Sequence, residues 1–194
     1  MSHPVPQPQC PSCSQPIMLH DPLTRCAHCG QPFDAEKLLR PLLVGRNIEY
    51  YEREFSRMEA EKKYASWNRA AFWNGASWLF YRKMYGYGFL YLLLAFALSF
   101  LTEFLLIRTL GMASNLSFLL APFGFFLWFY FFARGNTLYS RHLRNLTQKA
   151  LSLEGAQREK FIRRHSGVSW LGPILIESLA ALAILAPLLA AIFS

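Results

Sequence analysis

Apolar positions are gathered into blocks along this chain. Three blocks, Tyr87–Ile107, Met112–Ala133 and Leu171–Phe193, are nearly free of charge. Each reaches the run of about 20 apolar residues that a bilayer-crossing helix requires. The pattern predicts a transmembrane hairpin over 86–133, with spans at 87–107 and 112–133, and a third transmembrane helix over 170–194. Pro122 and Gly124 predict a kink in the second span, and Pro187 another in the third. A fourth block, Ala70–Tyr81, is charge-free and crowded with aromatics but too short to cross. A run of roughly 10–14 apolar residues suits an interfacial or re-entrant helix, which is the expectation for 65–85. Its apolar residues fill nearly every side of the helical wheel.

Elsewhere the periodicity is amphipathic. Val44, Ile48, Tyr51, Phe55 and Met58 recur at steps of four and three, which places them on one helical face. A cytoplasmic amphipathic helix is expected over 34–64, capped by Asp34 and broken or bent at Pro41 and Gly45. In 134–169, Tyr139, His142, Leu143, Leu146, Ala150 and Leu153 form a second apolar face, so helices are expected within a basic cytoplasmic loop. The fold class expected is an all-α membrane protein. It would have three transmembrane helices, an interfacial or re-entrant aromatic helix and a small N-terminal zinc ribbon.

Charge orients this picture. The formal net charge is +8; 11 of the 20 Lys and Arg residues precede Tyr87, and 8 lie between Arg134 and Arg164. The positive-inside rule then puts the N-terminus in the cytoplasm and the C-terminus outside, in the plasma (inner) membrane of a bacterium. Attraction to anionic lipid headgroups accompanies such a surplus. The N-terminus lacks the charged-then-apolar start of a secretory signal.

The strongest chemical signal lies in residues 1–33. Cys10 and Cys13 form one C-x2-C pair, and Cys26 and Cys29 a second, 12 residues on. Two such knuckles supply four thiolates to one tetrahedral ion, and structural zinc, one per chain, is the expected cofactor. Rubredoxin-like iron is the weaker alternative. Disulfides need an oxidising compartment, which a cytoplasmic N-terminus denies. His20 and His28 lie close by, but four thiolates already complete the set. A unit this small needs a metal to fold. The ribbon holds only Arg25 as a basic residue, so nucleic acid is not an expected partner.

Polar residues inside apolar blocks form a second candidate set. Glu103 and Glu177 fall within expected spans, where a carboxylate must face protein, a polar cavity or water. Arg108 is at hand for Glu103. Glu177 has no cation near it on its own helix, and Asn68, Asn74, Arg82 and Lys83 lie at a suitable depth to receive it. The expected role of Glu177 is to dock the third span onto the aromatic block.

Several motifs resemble a known family. They are Val44-Gly45-Arg46-Asn47, Tyr50-Tyr51 and Phe55; Ser66-Trp67-Asn68-Arg69-Ala70-Ala71-Phe72, Gly75 and Trp78; Tyr81-Arg82-Lys83-Met84-Tyr85; and Gly135-Asn136 with Tyr139 and His142. Together they resemble a bacterial membrane family, domain-of-unknown-function family twenty-six twenty-eight, whose members often carry an N-terminal zinc ribbon. The resemblance runs from about Val44 to Leu143. Arg69, Trp73-Asn74 and Ala76 depart from its pattern. It implies a helical inner-membrane protein and supplies no reaction.

No His-Glu-x-x-His, Gly-x-Ser-x-Gly or paired intramembrane Asp is present. The expectation is a non-enzymatic interaction or accessory subunit that docks a membrane or cytoplasmic protein through its ribbon and helices. Homo-oligomerisation is compatible with it. The alternative is a subunit of a small transporter or channel that uses the intramembrane glutamates.

Overall fold

A computed structural model describes residues 7–19, 23–62, 65–101, 104, 108 and 121–193. Beyond the N-terminal knuckles, every regular element among the described residues is a helix. Its helices are α1 (Ala35–Val44), α2 (Ile48–Ala60), α3 (Arg69–Tyr81), α4 (Tyr85–Leu101), α5 (Ala121–Ala133), α6 (Gly135–Leu151), α7 (Gly155–His165) and α8 (Leu171–Phe193). They belong to two compact units, one of residues 1–64 and 136–168 and one of residues 65–135 and 169–194.

In the first unit, Asp34 caps α1 by accepting from the Glu36 and Lys37 amides at 2.9 and 3.3 Å, which satisfies two of the donors a helix start leaves open. α1 continues through Pro41 and stops at Gly45, whose N–H reaches the Pro41 carbonyl. Gly45 has φ of 64°. A Cβ there would lie 2.5 Å from the Gly167 backbone, so the position excludes a side chain both by conformation and by space. The stripe on α2 turns inward: Tyr51 and Phe55 are buried and meet Tyr139 of α6 with ring centroids 4.9 and 6.2 Å apart. Asn136 at the start of α6 donates to the Tyr50 hydroxyl at 3.1 Å. Arg40 of α1 bridges to Glu52 and Glu59 of α2 at 2.9 and 3.2 Å.

In the second unit, α3 is the element against which α4, α5 and α8 pack. It is not one straight helix. Gly75 adopts φ 52°, ψ −133° and kinks it; that conformation is open essentially to glycine alone. Phe80 is held between two glycines, Gly88 of α4 and Gly172 of α8, where an added Cβ would fall 2.6 and 2.7 Å from Phe80 atoms. Tyr81 stacks edgewise on Trp170 at 4.9 Å, and its carbonyl accepts from the Ser169 amide at 2.9 Å.

The all-helical expectation is met, but the membrane architecture is not. Among the described residues no helix is long and apolar enough to cross a membrane. Of the first expected span, 87–107, α4 covers 87–101, and most of 102–107 lies outside the described residues. Of the second, 112–133, α5 covers 121–133, and 112–120 lie outside the described residues. Neither described stretch by itself reaches the roughly 20 residues a crossing needs. The third coincides with α8, whose described residues also fall short of such a run. The three transmembrane helices, the interfacial or re-entrant reading of 65–85 and the multi-pass inner-membrane localisation are therefore corrected together. The inside and outside assignments of the termini rested on those spans and fall with them. Block length counts apolar residues and does not say what each face of a helix meets. Here α4 instead spends part of its apolar surface on protein, with Tyr91 packed edgewise on Phe131 and Phe132 of α5.

Candidate metal centre

Each C-x2-C pair folds as a tight turn held by its own backbone. In the first, the Ser14 amide donates to the Cys10 carbonyl at 2.9 Å and the Cys10 amide to the Gln15 carbonyl at 2.8 Å. In the second, Gly30 donates to Cys26 and Cys26 to Gln31, both at 2.9 Å. Ser14 and Gly30 take the same left-handed conformation, with φ of 59° and 70°. Isolated antiparallel bridges, Gln9 with Pro16 and Arg25 with Pro32, close the two turns alike. The local sequences match as well: Cys10-Pro-Ser-Cys-Ser-Gln-Pro16 and Cys26-Ala-His-Cys-Gly-Gln-Pro32. This repeat is a signal that cysteine spacing alone does not capture.

The two turns bring the four sulfurs together, all within 4.8 Å of one another. Cys10 Sγ lies 3.8 Å from Cys29 Sγ, and Cys13 Sγ 3.7 Å from Cys26 Sγ. Sulfurs bonded at about 2.3 Å to a tetrahedral ion are separated by roughly 3.8 Å, so the donor set fits such an ion. A disulfide needs about 2.05 Å, and all four cysteines are free. Cys10 and Cys26 are buried while Cys29 is exposed. The Ser12 amide, pointed at Cys10, draws its thiol down to about 6. The Gln15 amide acts in the same sense on Cys13, but burial and the neighbouring thiols outweigh it and push Cys13 up to about 12. Four adjacent thiols cannot all carry charge without a cation among them; a bound ion removes that conflict. His28 is exposed, and His20 lies outside the described residues.

The other sequence-predicted residues are dispersed. Glu103 lies outside the described residues. Glu177 Oε1 accepts from Ser77 Oγ of α3 at 2.5 Å, a partner the apolar pattern had hidden. Asn68 is buried and caps α3, accepting from the Ala71 amide at 3.0 Å. Asn74 is exposed and donates to the Ala70 carbonyl at 2.8 Å. Arg82 is buried with its guanidinium 5.5 Å from the Tyr81 ring centroid. Lys83 takes φ of 57° in the turn before α4, and burial holds its amine below the usual lysine range.

What fold and site define is a helical protein with a four-cysteine cluster suited to a metal at its N-terminus. Residues 44–144 match the family described as Protein of unknown function (DUF2628), and the chain belongs to that family. No curated protein and no solved structure matches it.

Proposed function

We propose that this chain is a non-enzymatic interaction protein, in which a zinc-stabilised N-terminal module accompanies helices that dock a protein partner. The carrying observation is the apolar surface of the second unit. Phe89, Leu93, Phe96 and Phe100 recur at steps of four and three on α4 and are 58–70% exposed. Leu171, Leu175, Leu179 and Leu182 repeat the arrangement on α8, at 55–69%. Extended apolar surface of this kind marks an interaction site. Zinc is the ion assigned to the cysteines, because four thiolates in tetrahedral array are its usual structural set and leave no open position for a substrate. The ion organises a module whose core among the described residues is Ile17, Leu19 and Leu23 with Cys10 and Cys26.

Two measurements test the reading. Full-length protein purified without chelator should hold one zinc per chain by plasma mass spectrometry, and Cys13→Ser should hold none. Protein free of zinc sinks the metal assignment. A photo-reactive phenylalanine at Phe96, activated in the native cell, should give a discrete adduct with one protein partner. An adduct pattern no different from that of the same probe at exposed Lys149 would remove the docking surface.

A further inference from the structure

We infer that the crevice between α1, α2 and α6 is a binding site for a small phosphate monoester. The crevice has a volume of about 340 Å³, at the lower end of the range for small-molecule sites. Four basic and two acidic side chains line it. Arg40 is already committed to Glu52 and Glu59, which accounts for one cation and one of the lining carboxylates. Lys62, in the turn after α2, and Arg141 and Arg144 from α6 have no ion-pair partner among the described residues; of the lining carboxylates, Glu36 is the one not paired with Arg40.

Arg141 and Arg144 are three residues apart, so they share one face of α6. Like charges at that spacing repel by a few tenths of a kcal/mol, and an anion seated between them turns the repulsion into two attractions. The same face carries Thr137, Ser140 and Thr147, which puts hydroxyls above and below the guanidinium pair. Ser140 donates its proton to the Thr137 carbonyl at 3.1 Å, so the donors left for an anion are those of the cationic side chains. Guanidinium groups match the fork of a phosphate, and an ammonium adds a point charge. Four cations against Glu36, Glu59 and the adjoining Glu52 leave a positive surplus, concentrated at the arginine pair, that attracts an anion. Met58 of α2 is half-buried beside the cations, an apolar contact that a bare phosphate would leave uncovered and an organic substituent would fill.

Titration calorimetry on the full-length protein with phenyl phosphate tests this. Saturable binding is expected, with inorganic phosphate weaker and phenol not binding. The double variant Arg141→Gln/Arg144→Gln should weaken phenyl phosphate about tenfold or more. Both arginines are exposed, so its melting temperature should match the wild type. Lys62→Gln, in the turn after α2, should weaken binding independently. Absence of saturable phenyl phosphate binding, or equal affinity in wild type and in both variants, overturns the site. Inorganic phosphate binding as tightly as phenyl phosphate overturns the ester assignment.

Discussion

Arg158 of α7 donates from Nη1 to the carbonyl of Leu19 at 3.3 Å, across 139 residues of sequence. Its Nε donates to the carbonyls of Leu153 and Ala150 at 2.9 and 3.2 Å. The side chain is buried. One guanidinium thus closes the end of α6 and fastens the segment that follows the first knuckle. Arg158→Ala removes charge-assisted donors from three carbonyls and should cost about 2–4 kcal/mol of stability. Urea unfolding of the full chain gives the number. Arg158→Lys should recover only part of the loss, because an ammonium cannot span the same three acceptors. A loss below about 0.5 kcal/mol, the range of ordinary surface changes, would show that the carbonyls do not depend on it.

Gly45→Ala should be among the most damaging single-methyl changes in the chain. The left-handed backbone costs an alanine about 1–2 kcal/mol. The methyl would also meet the Gly167 backbone, which cannot rotate away as a side chain does, for a further 1–3 kcal/mol or so. Thermal unfolding should show a depressed midpoint. Gly30→Ala is the control: it shares the backbone penalty but has nothing within 4 Å of the added carbon.

Ser77 and Glu177 should be energetically coupled. Ser77→Ala and Glu177→Gln each disturb one hydrogen bond between α3 and α8. Glu177 is exposed, so solvent competes for it and the coupling should be modest, about 0.5–1.5 kcal/mol in a double-mutant cycle. Additive single effects would show that the two helices are held by packing alone.

His142 should make stability depend on pH. Burial, with a smaller contribution from nearby His165, holds its imidazole below the ordinary value of 6.5. The unfolded chain therefore binds the proton more readily than the native one. The contribution of His142 is complete above about pH 6.5 and declines as pH falls below it. His142→Gln should flatten that part of the stability profile, measured by urea unfolding at a series of pH values. An unchanged slope would place the acid sensitivity elsewhere.

The features legible in the sequence were those with short-range grammar. The cysteine spacing located a convergent cluster because a C-x2-C turn fixes its own geometry within a few residues. Asp34 ahead of Ala35, and the step pattern from Val44 to Met58, were readable because capping and helical periodicity are local. The kink at Gly75 was not, since a glycine inside an apolar block gives no sign of its dihedral angles. Arg158 read only as one more member of a basic surplus; its partners are set by tertiary contact. The apolar blocks misled for a related reason. Apolar composition does not fix what a side chain meets: Tyr91 packs on Phe131 and Phe132, while Phe89 and Phe96 of the same helix are exposed.

The lodging of Phe80 between Gly88 and Gly172 makes three distant positions share a single allotment of volume. An added carbon at Gly88 meets the tip of the ring, which a shorter side chain at position 80 would withdraw. An added carbon at Gly172 meets the Phe80 Cβ, which every residue but glycine retains. Enlargement on the α4 side can therefore be traded against a smaller residue at position 80, while on the α8 side no such trade exists. Among relatives of this chain, size should covary between positions 80 and 88, and position 172 should stay without a side chain whatever the other two become.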